Sequence, residues 1–228
     1  MCLEQRLSDV KERIRVAAER CGRSSDDIKL IAVTKTYPTD IMNKAIRLGV
    51  TDIGENKPQE IRDKFSYTEP VRWHLIGHLQ TNKVKYVIDR CCMIHSVDSI
   101  KLMQELEKQA SEKDCDIDIL IQVNISGEQS KSGIAPDQLH LLLTYAKELK
   151  RVHVKGLMTI APKAEYGDAA VHFKNMKSLF DRIAQEKYEN VAMEELSMGM
   201  SGDFEAAIEN GATMIRVGSL IFGPRNYN

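Results

Sequence analysis

The 228-residue sequence predicts a (β/α)8 barrel, the TIM-barrel form of α/β architecture, with one extra helix at its N-terminus. Three observations predict it. Eight short apolar segments, at 28–34, 50–54, 72–76, 94–97, 117–125, 154–160, 195–199 and 213–217, have the length and composition of buried strands. Each is followed by a helix or a turn of one, the alternation of a parallel sheet with helical crossovers. Eight such units in this length of chain favour a closed barrel over an open doubly wound sheet.

The elements follow in order. Residues 3–20 place Leu3, Leu7, Val10, Ile14 and Ala17 on one helical face, so this helix is expected to pack outside the barrel or across its bottom. The first strand, 28–34, runs into Lys35, and Tyr37-Pro38 then forces a loop. Helix 40–48 runs to Gly49, its expected C-terminal cap. A further helix begins near Pro58, and others are expected at 80–89, 99–113, 136–150, 168–188 and 203–210. No linker, low-complexity tract or repeat divides the chain, and residues 1–228 are expected to form a single domain.

Composition narrows the function. A hydrophobic fraction of 43% and a charged fraction of 29% are ordinary for a soluble globular protein. The net charge of −1 gives no general reason to expect nucleic acid or an anionic membrane as partner. No apolar stretch approaches the ~20 residues of a membrane span. The opening Met1-Cys2-Leu3-Glu4-Gln5-Arg6 lacks the apolar core of a secretory signal, so a cytoplasmic location is expected. Cys2, Cys21, Cys91, Cys92 and Cys115 are odd in number with no CxxC pair, and read as reduced thiols. His74 and His78 lie four apart on a strand-to-loop segment, a spacing that does not put two ligands on one face, and no metal is expected.

In such barrels chemistry sits at the C-terminal strand ends, with phosphate often held after strands seven and eight. Lys35 ends strand one. It points either into solvent or into a site, where lost hydration would make its amine a nucleophile toward aldehydes. Strand seven runs into Met200-Ser201-Gly202-Asp203, and strand eight into Gly218-Ser219. Both combine glycine with a serine hydroxyl beside a helix start, which together favour phosphate. Arg216 lies two residues before Gly218 on the same strand face, so if Gly218 faces the phosphate, Arg216 faces the barrel interior below it. A buried arginine needs a partner, which is either a carboxylate or an aromatic ring nitrogen on a ligand. Strand two puts Glu55 and Asn56 at the rim, while Met158 and Met200 read as packing residues at strand ends.

Several stretches carry a resemblance: Val33-Thr34-Lys35, Gly54-Glu55-Asn56, the run from Trp73 to Lys83, Gly156-Leu157-Met158-Thr159, the run from Leu196 to Asp203, and Ile215-Arg216-Val217-Gly218-Ser219. In order and over nearly the whole chain, they resemble the pyridoxal 5'-phosphate (PLP) homeostasis proteins of the YggS/PROSC type. Those proteins share a barrel with the N-terminal domain of bacterial alanine racemase. The resemblance implies that Lys35 forms the internal aldimine with PLP and that Ser201, Gly218 and Ser219 hold its phosphate. It also implies that Arg216 meets the pyridine nitrogen, that Asn56 lies near the ring hydroxyl, and that Met200 lines the ring pocket.

Racemisation needs a base on each face of the substrate's Cα. In the resembled racemases the second is a tyrosine from a further domain across a dimer, and no such domain is expected here. Tyr37, Tyr227 and His78 are the candidates to replace it, and nothing in their spacing selects one. The leading expectation is therefore a non-catalytic, monomeric PLP carrier with a role in vitamin B6 homeostasis, which hands the cofactor to PLP-dependent apo-enzymes. The alternatives are a low-activity PLP-dependent amino-acid racemase and, apart from the resemblance, a lysine aldolase acting on a phosphosugar.

Overall fold

The strands and helices arise where hydrophobic patterning and local caps agree. In a computed structural model describing residues 1–128, 132–162 and 168–224, the strands are β1 (Lys29–Val33), β2 (Asp52–Glu55), β3 (Arg72–Leu75), β4 (Met93–Val97), β5 (Ile117–Gln122), β6 (Val152–Met158), β7 (Val191–Met200) and β8 (Met214–Val217). Tyr227 lies outside the described residues. Each strand pairs in parallel with the next, and β8 pairs with β1, closing the barrel. Closure leaves no strand edge exposed.

Around the barrel lie α1 (Leu3–Arg20), α2 (Thr39–Arg47), α3 (Pro58–Lys64), α4 (Ile100–Glu112), α5 (Leu139–Tyr145), α6 (Ala169–Gln185), α7 (Phe204–Glu209) and α8 (Ser219–Phe222). Helix α1 buries Leu7, Val10, Ile14 and Ala17 and packs on α7 and α8, outside the barrel. Helix α2 ends as its sequence requires. Gly49 takes φ +89°, its N–H bonds to Ile46, and the Val50 N–H bonds to Ala45, a paired C-terminal cap that only a left-handed residue allows.

Two expectations are corrected. Residues 80–89 do not form an α-helix: Thr81–Tyr86 is a 3-10 helix, without a side-chain cap and containing Thr81, Asn82 and Val84, all poor α-helix formers. The stretch 136–150 is α-helical only over Leu139–Tyr145, with 3-10 turns on either side. The short helix α8 supplies the turn of helix expected after β8.

Inward-pointing strand positions fall two apart. They bring Ile31, Met93, Leu120, Met158 and Met214 into one apolar cluster inside the barrel, which places Met158 in the core as expected. Beside that cluster the interior also holds His74, His95, Ser197 and Arg216, all buried. All five cysteines are free thiols, and among the described residues no helix is long and apolar enough to cross a membrane.

Candidate functional site

The C-terminal ends of the strands surround a cavity of about 540 Å³, within the range of small-molecule sites. Each of the seven residues singled out from the sequence lines it: Lys35, Asn56, Met200, Ser201, Arg216, Gly218 and Ser219. Ile76, His78, Gln122 and Ile160 are among the other residues that line it, and the sequence did not single out these positions as cofactor contacts.

Lys35 follows β1 and is half-buried. Both of its chain neighbours are fastened to a cluster of the buried Glu55 with the half-buried Glu60 and Lys64. Thr34 donates through Oγ1 to Glu55 Oε1 at 2.8 Å, and the Thr36 N–H donates to Glu60 Oε2 at 2.9 Å. Lys64 Nζ donates to both carboxylates, at 2.9 and 2.7 Å. Thr36 has φ +71°, in the left-handed region that a β-branched residue seldom enters, so the carboxylate contact holds a strained turn. Burial pushes the Glu55 carboxyl up to about 7 against the pull of Lys64. This cluster was missed in the sequence. Its only signal there is a glutamate closing a buried strand, since Lys64 lies a helix away.

At the phosphate-like end the Gly218 N–H donates to Ser201 Oγ at 3.2 Å, joining the loops after β7 and β8. A Cβ on Gly218 would meet the Val33 side chain and carbonyl at 3.2 Å, so glycine is what allows the backbone this close. Ser219 is exposed at the start of α8, and Met200 is 38% exposed at the cavity wall. On the far side, Gly77 packs on the Asn56 backbone, where a Cβ would fall 2.3 Å from the Asn56 carbonyl oxygen.

Arg216 is 4% exposed, yet its partners are neutral. Nη1 donates to Ser197 Oγ at 2.5 Å and Nη2 to the Thr159 carbonyl at 2.9 Å. Among the described residues no carboxylate forms an ion pair with it, so the first of the two partners open in the sequence is not what this arginine has. Burial lowers its pKa to about 10, with Asp203 acting in the opposite direction.

Of the three candidate bases, Tyr37 is turned away from the cavity: its hydroxyl donates to the Gly223 carbonyl at 2.8 Å and its ring packs on Phe222. His78 stands exposed at the rim, with Nδ1 3.6 Å from the Asp98 carboxylate. Tyr227 lies outside the described residues. A second cavity, of about 580 Å³, opens at the opposite mouth of the barrel, where the strand-borne charges are paired with each other, Lys29 with Glu195 and Arg72 with Asp52. In barrels that end serves stability.

Fold and cavity together define a barrel of the alanine racemase N-terminal class, with a lysine at the end of its first strand. The sequence matches the family model described as alanine racemase, N-terminal domain, over residues 6–226. It is 43% identical over 226 residues to the pyridoxal phosphate homeostasis protein of Aquifex aeolicus, covering 98% of each chain. The protein of that name from Escherichia coli is 38% identical, over 97% of this chain and 96% of its own. The chain belongs to the pyridoxal phosphate homeostasis protein family. Among solved structures, PipY of Synechococcus elongatus with PLP bound superposes with a TM-score of 0.82 at 30% identity, over 97% of this chain and all of that one, 100%. Alanine racemase from Corynebacterium glutamicum, at 16% identity and a TM-score of 0.66, shares the fold over 96% of this chain and 61% of its own.

Proposed function

We propose that this protein binds PLP in the C-terminal cavity, with Lys35 holding the aldehyde carbon through its side-chain nitrogen, and that it carries the cofactor without driving turnover. The observation that carries this reading is a convergence. An amine, a glycine-serine anion cradle and a buried donor, from opposite ends of the chain, line one cavity of about 540 Å³. The donor set fits the cofactor: the amine suits its aldehyde, Ser201, Gly218 and Ser219 suit its phosphate, and Arg216 suits its ring nitrogen. Asn56 is assigned to the ring hydroxyl and Met200 to the ring face. The PLP-bound state of PipY and the names of the curated relatives support PLP as the ligand.

When bound, the cofactor supplies an electrophilic carbonyl and an electron-withdrawing ring. The chain's own groups limit its use. Arg216 donates a hydrogen bond to the ring nitrogen without transferring a proton, which leaves the ring a weak electron sink. The Tyr37 hydroxyl is already committed to the Gly223 carbonyl. On this reading residues 1–228 act as one domain and as a monomer in the cytoplasm, and release to an apo-enzyme proceeds by exchange at Lys35. A second reading, a low-activity racemase, draws on His78 at the cavity rim.

The test is spectroscopic. Protein mixed with PLP is expected to turn yellow and to retain the cofactor after borohydride reduction. Lys35→Ala is expected to lose the reduced adduct; an adduct on another lysine moves the assignment. Protein that stays colourless with PLP sinks the reading and returns the lysine aldolase. Fast deuterium exchange at Cα of amino acids replaces the carrier with the racemase. Faster transfer of bound PLP to an apo-enzyme than free PLP achieves at equal concentration supports the carrier directly.

A further inference from the structure

The barrel interior contains an unbroken row of buried polar side chains linking its two mouths. Starting below the cofactor cavity, Arg216 Nη1 donates to Ser197 Oγ at 2.5 Å. Ser197 Oγ lies 2.9 Å from His95 Nδ1, His95 Nε2 lies 3.0 Å from His74 Nδ1, and His74 Nε2 lies 2.8 Å from Asp52 Oδ1. The five residues are between 0 and 4% exposed and come from five strands. At the opposite mouth Arg72 grips both Asp52 oxygens at 2.8 and 2.7 Å, and Thr51 donates to Oδ2 at 2.8 Å. The interior layers of such barrels are dominated by branched aliphatic side chains. A polar row here is a departure that packing alone does not require.

One arrangement of protons satisfies the row. Burial pushes the Asp52 carboxyl up, but hydrogen bonds from His74, Arg72 and Thr51 outweigh it and hold it well below the usual range. An ionised carboxylate only accepts, so His74 Nε2 carries the hydrogen. Burial keeps His74 neutral against the pull of Asp52. Its Nδ1 is therefore a lone pair, and His95 Nε2 donates to it. Burial holds His95 far below its ordinary pKa as well, with His74, Arg216 and Lys29 acting in the same direction and Asp52 against. His95 Nδ1 in turn accepts the Ser197 hydroxyl hydrogen, and the Ser197 lone pair takes the Arg216 N–H. Every hydrogen points from the cavity toward Asp52.

We propose that Ser197, His95, His74 and Asp52 are positioning residues that tether Arg216 through a one-way hydrogen-bond row to a carboxylate at the far mouth of the barrel. The row orients the guanidinium and gives its charge a distant negative end, and among the described residues that line the cavity there is no carboxylate to compete for it. Aligned hydrogen bonds of this kind polarise one another. The direction also has a chemical consequence: the row cannot return a proton to Arg216, because its hydrogens point away from the guanidinium and the ionised Asp52 has none to supply. Arg216 stays a hydrogen-bond donor, and a ring nitrogen in front of it stays an acceptor. That consequence rests on the PLP reading of the cavity, whereas the row and its direction do not.

The first experiment uses the ligand-free, 15N-labelled protein and long-range proton–nitrogen correlations. His74 and His95 are expected as neutral Nε2–H tautomers at pH 7; an Nδ1–H tautomer or an imidazolium at either position overturns the one-way row. Asp52→Asn is expected to change the tautomer of both rings, and rings unchanged in a folded variant remove Asp52 as the element that sets the direction. The second experiment titrates PLP. Ser197→Ala, which cuts the row beside Arg216, is expected to weaken binding about tenfold, the loss of one charge-assisted hydrogen bond. It should also shift the visible absorption of the bound cofactor. Normal affinity and an unshifted spectrum overturn the positioning role. If wild-type protein binds no PLP, the cofactor reading fails and the tautomers alone judge the row.

Discussion

The Gly218 N–H and the Ser201 hydroxyl, 3.2 Å apart, hold the loops after β7 and β8 together across the cavity mouth. On the proposed reading an incoming phosphate would use both groups, and the bond between them holds these loops together before a ligand arrives. Ser201→Ala is expected to weaken PLP binding about tenfold while leaving pyridoxal, which has no phosphate, nearly unaffected. Absorbance titrations with the two ligands check this, and equal losses for both would remove Ser201 from the phosphate site.

Gly77 tests the other side of the cavity. A methyl group there would lie 2.3 Å from the Asn56 carbonyl oxygen and 2.7 Å from its Cα, and both are backbone atoms. Gly77→Ala must therefore displace Asn56. It is expected to lower both the thermal midpoint and PLP affinity, whereas an alanine variant that binds PLP as tightly as wild type would show that the Asn56 position is not needed.

Glu55 makes stability depend on pH. Its folded carboxyl titrates at about 7 against an ordinary value of 4.5, so between these values the folded state binds a proton that the unfolded state has lost. Its contribution is therefore fully present below pH 4.5 and is lost as pH rises through about 7. Glu55→Gln, which cannot ionise, is expected to flatten this part of the stability profile. Urea denaturation of both proteins at a series of pH values provides the comparison, and parallel profiles would refute the assignment.

Asn190 closes the turn into β7 in a left-handed conformation, φ +59°. Its amide donates to the carbonyls of Ala146, Leu149 and Val152, and its carbonyl oxygen lies 2.9 Å from His153 Nδ1. Asn190→Ala removes these bonds and strains the turn, and is expected to cost about 2–3 kcal/mol of unfolding free energy. Asn190→Gly relieves only the backbone strain, so it should recover a minor part of that loss. A glycine variant as stable as wild type would show that the side-chain bonds contribute nothing.

Much of this was legible in advance because strand patterning and caps are local. The Ile28–Thr34 run, Gly49 after its helix, and the Gly-Ser pairs after strands seven and eight each declare themselves within a few residues. The segment after β3 differs from the expected helix because Thr81, Asn82 and Val84 favour the α-helix weakly, and Thr81–Tyr86 forms a 3-10 helix. The Glu55–Lys64–Glu60 cluster and the row from Arg216 to Asp52 were not legible. Their members are ordinary polar residues, and their significance depends on which neighbours closure gives them.

By itself the sequence determined the eight βα units, the strand ends at which Lys35, Ser201 and Gly218 emerge, and the family resemblance. Only the tertiary structure decided that Tyr37 turns away from the cavity, that Arg216 meets a hydroxyl and a carbonyl in place of a carboxylate, and that His95 reaches Ser197 across 102 residues of chain. The physical reason is range: burial periodicity is written along the chain, but the partner of an inward side chain is set by the register at which eight strands close.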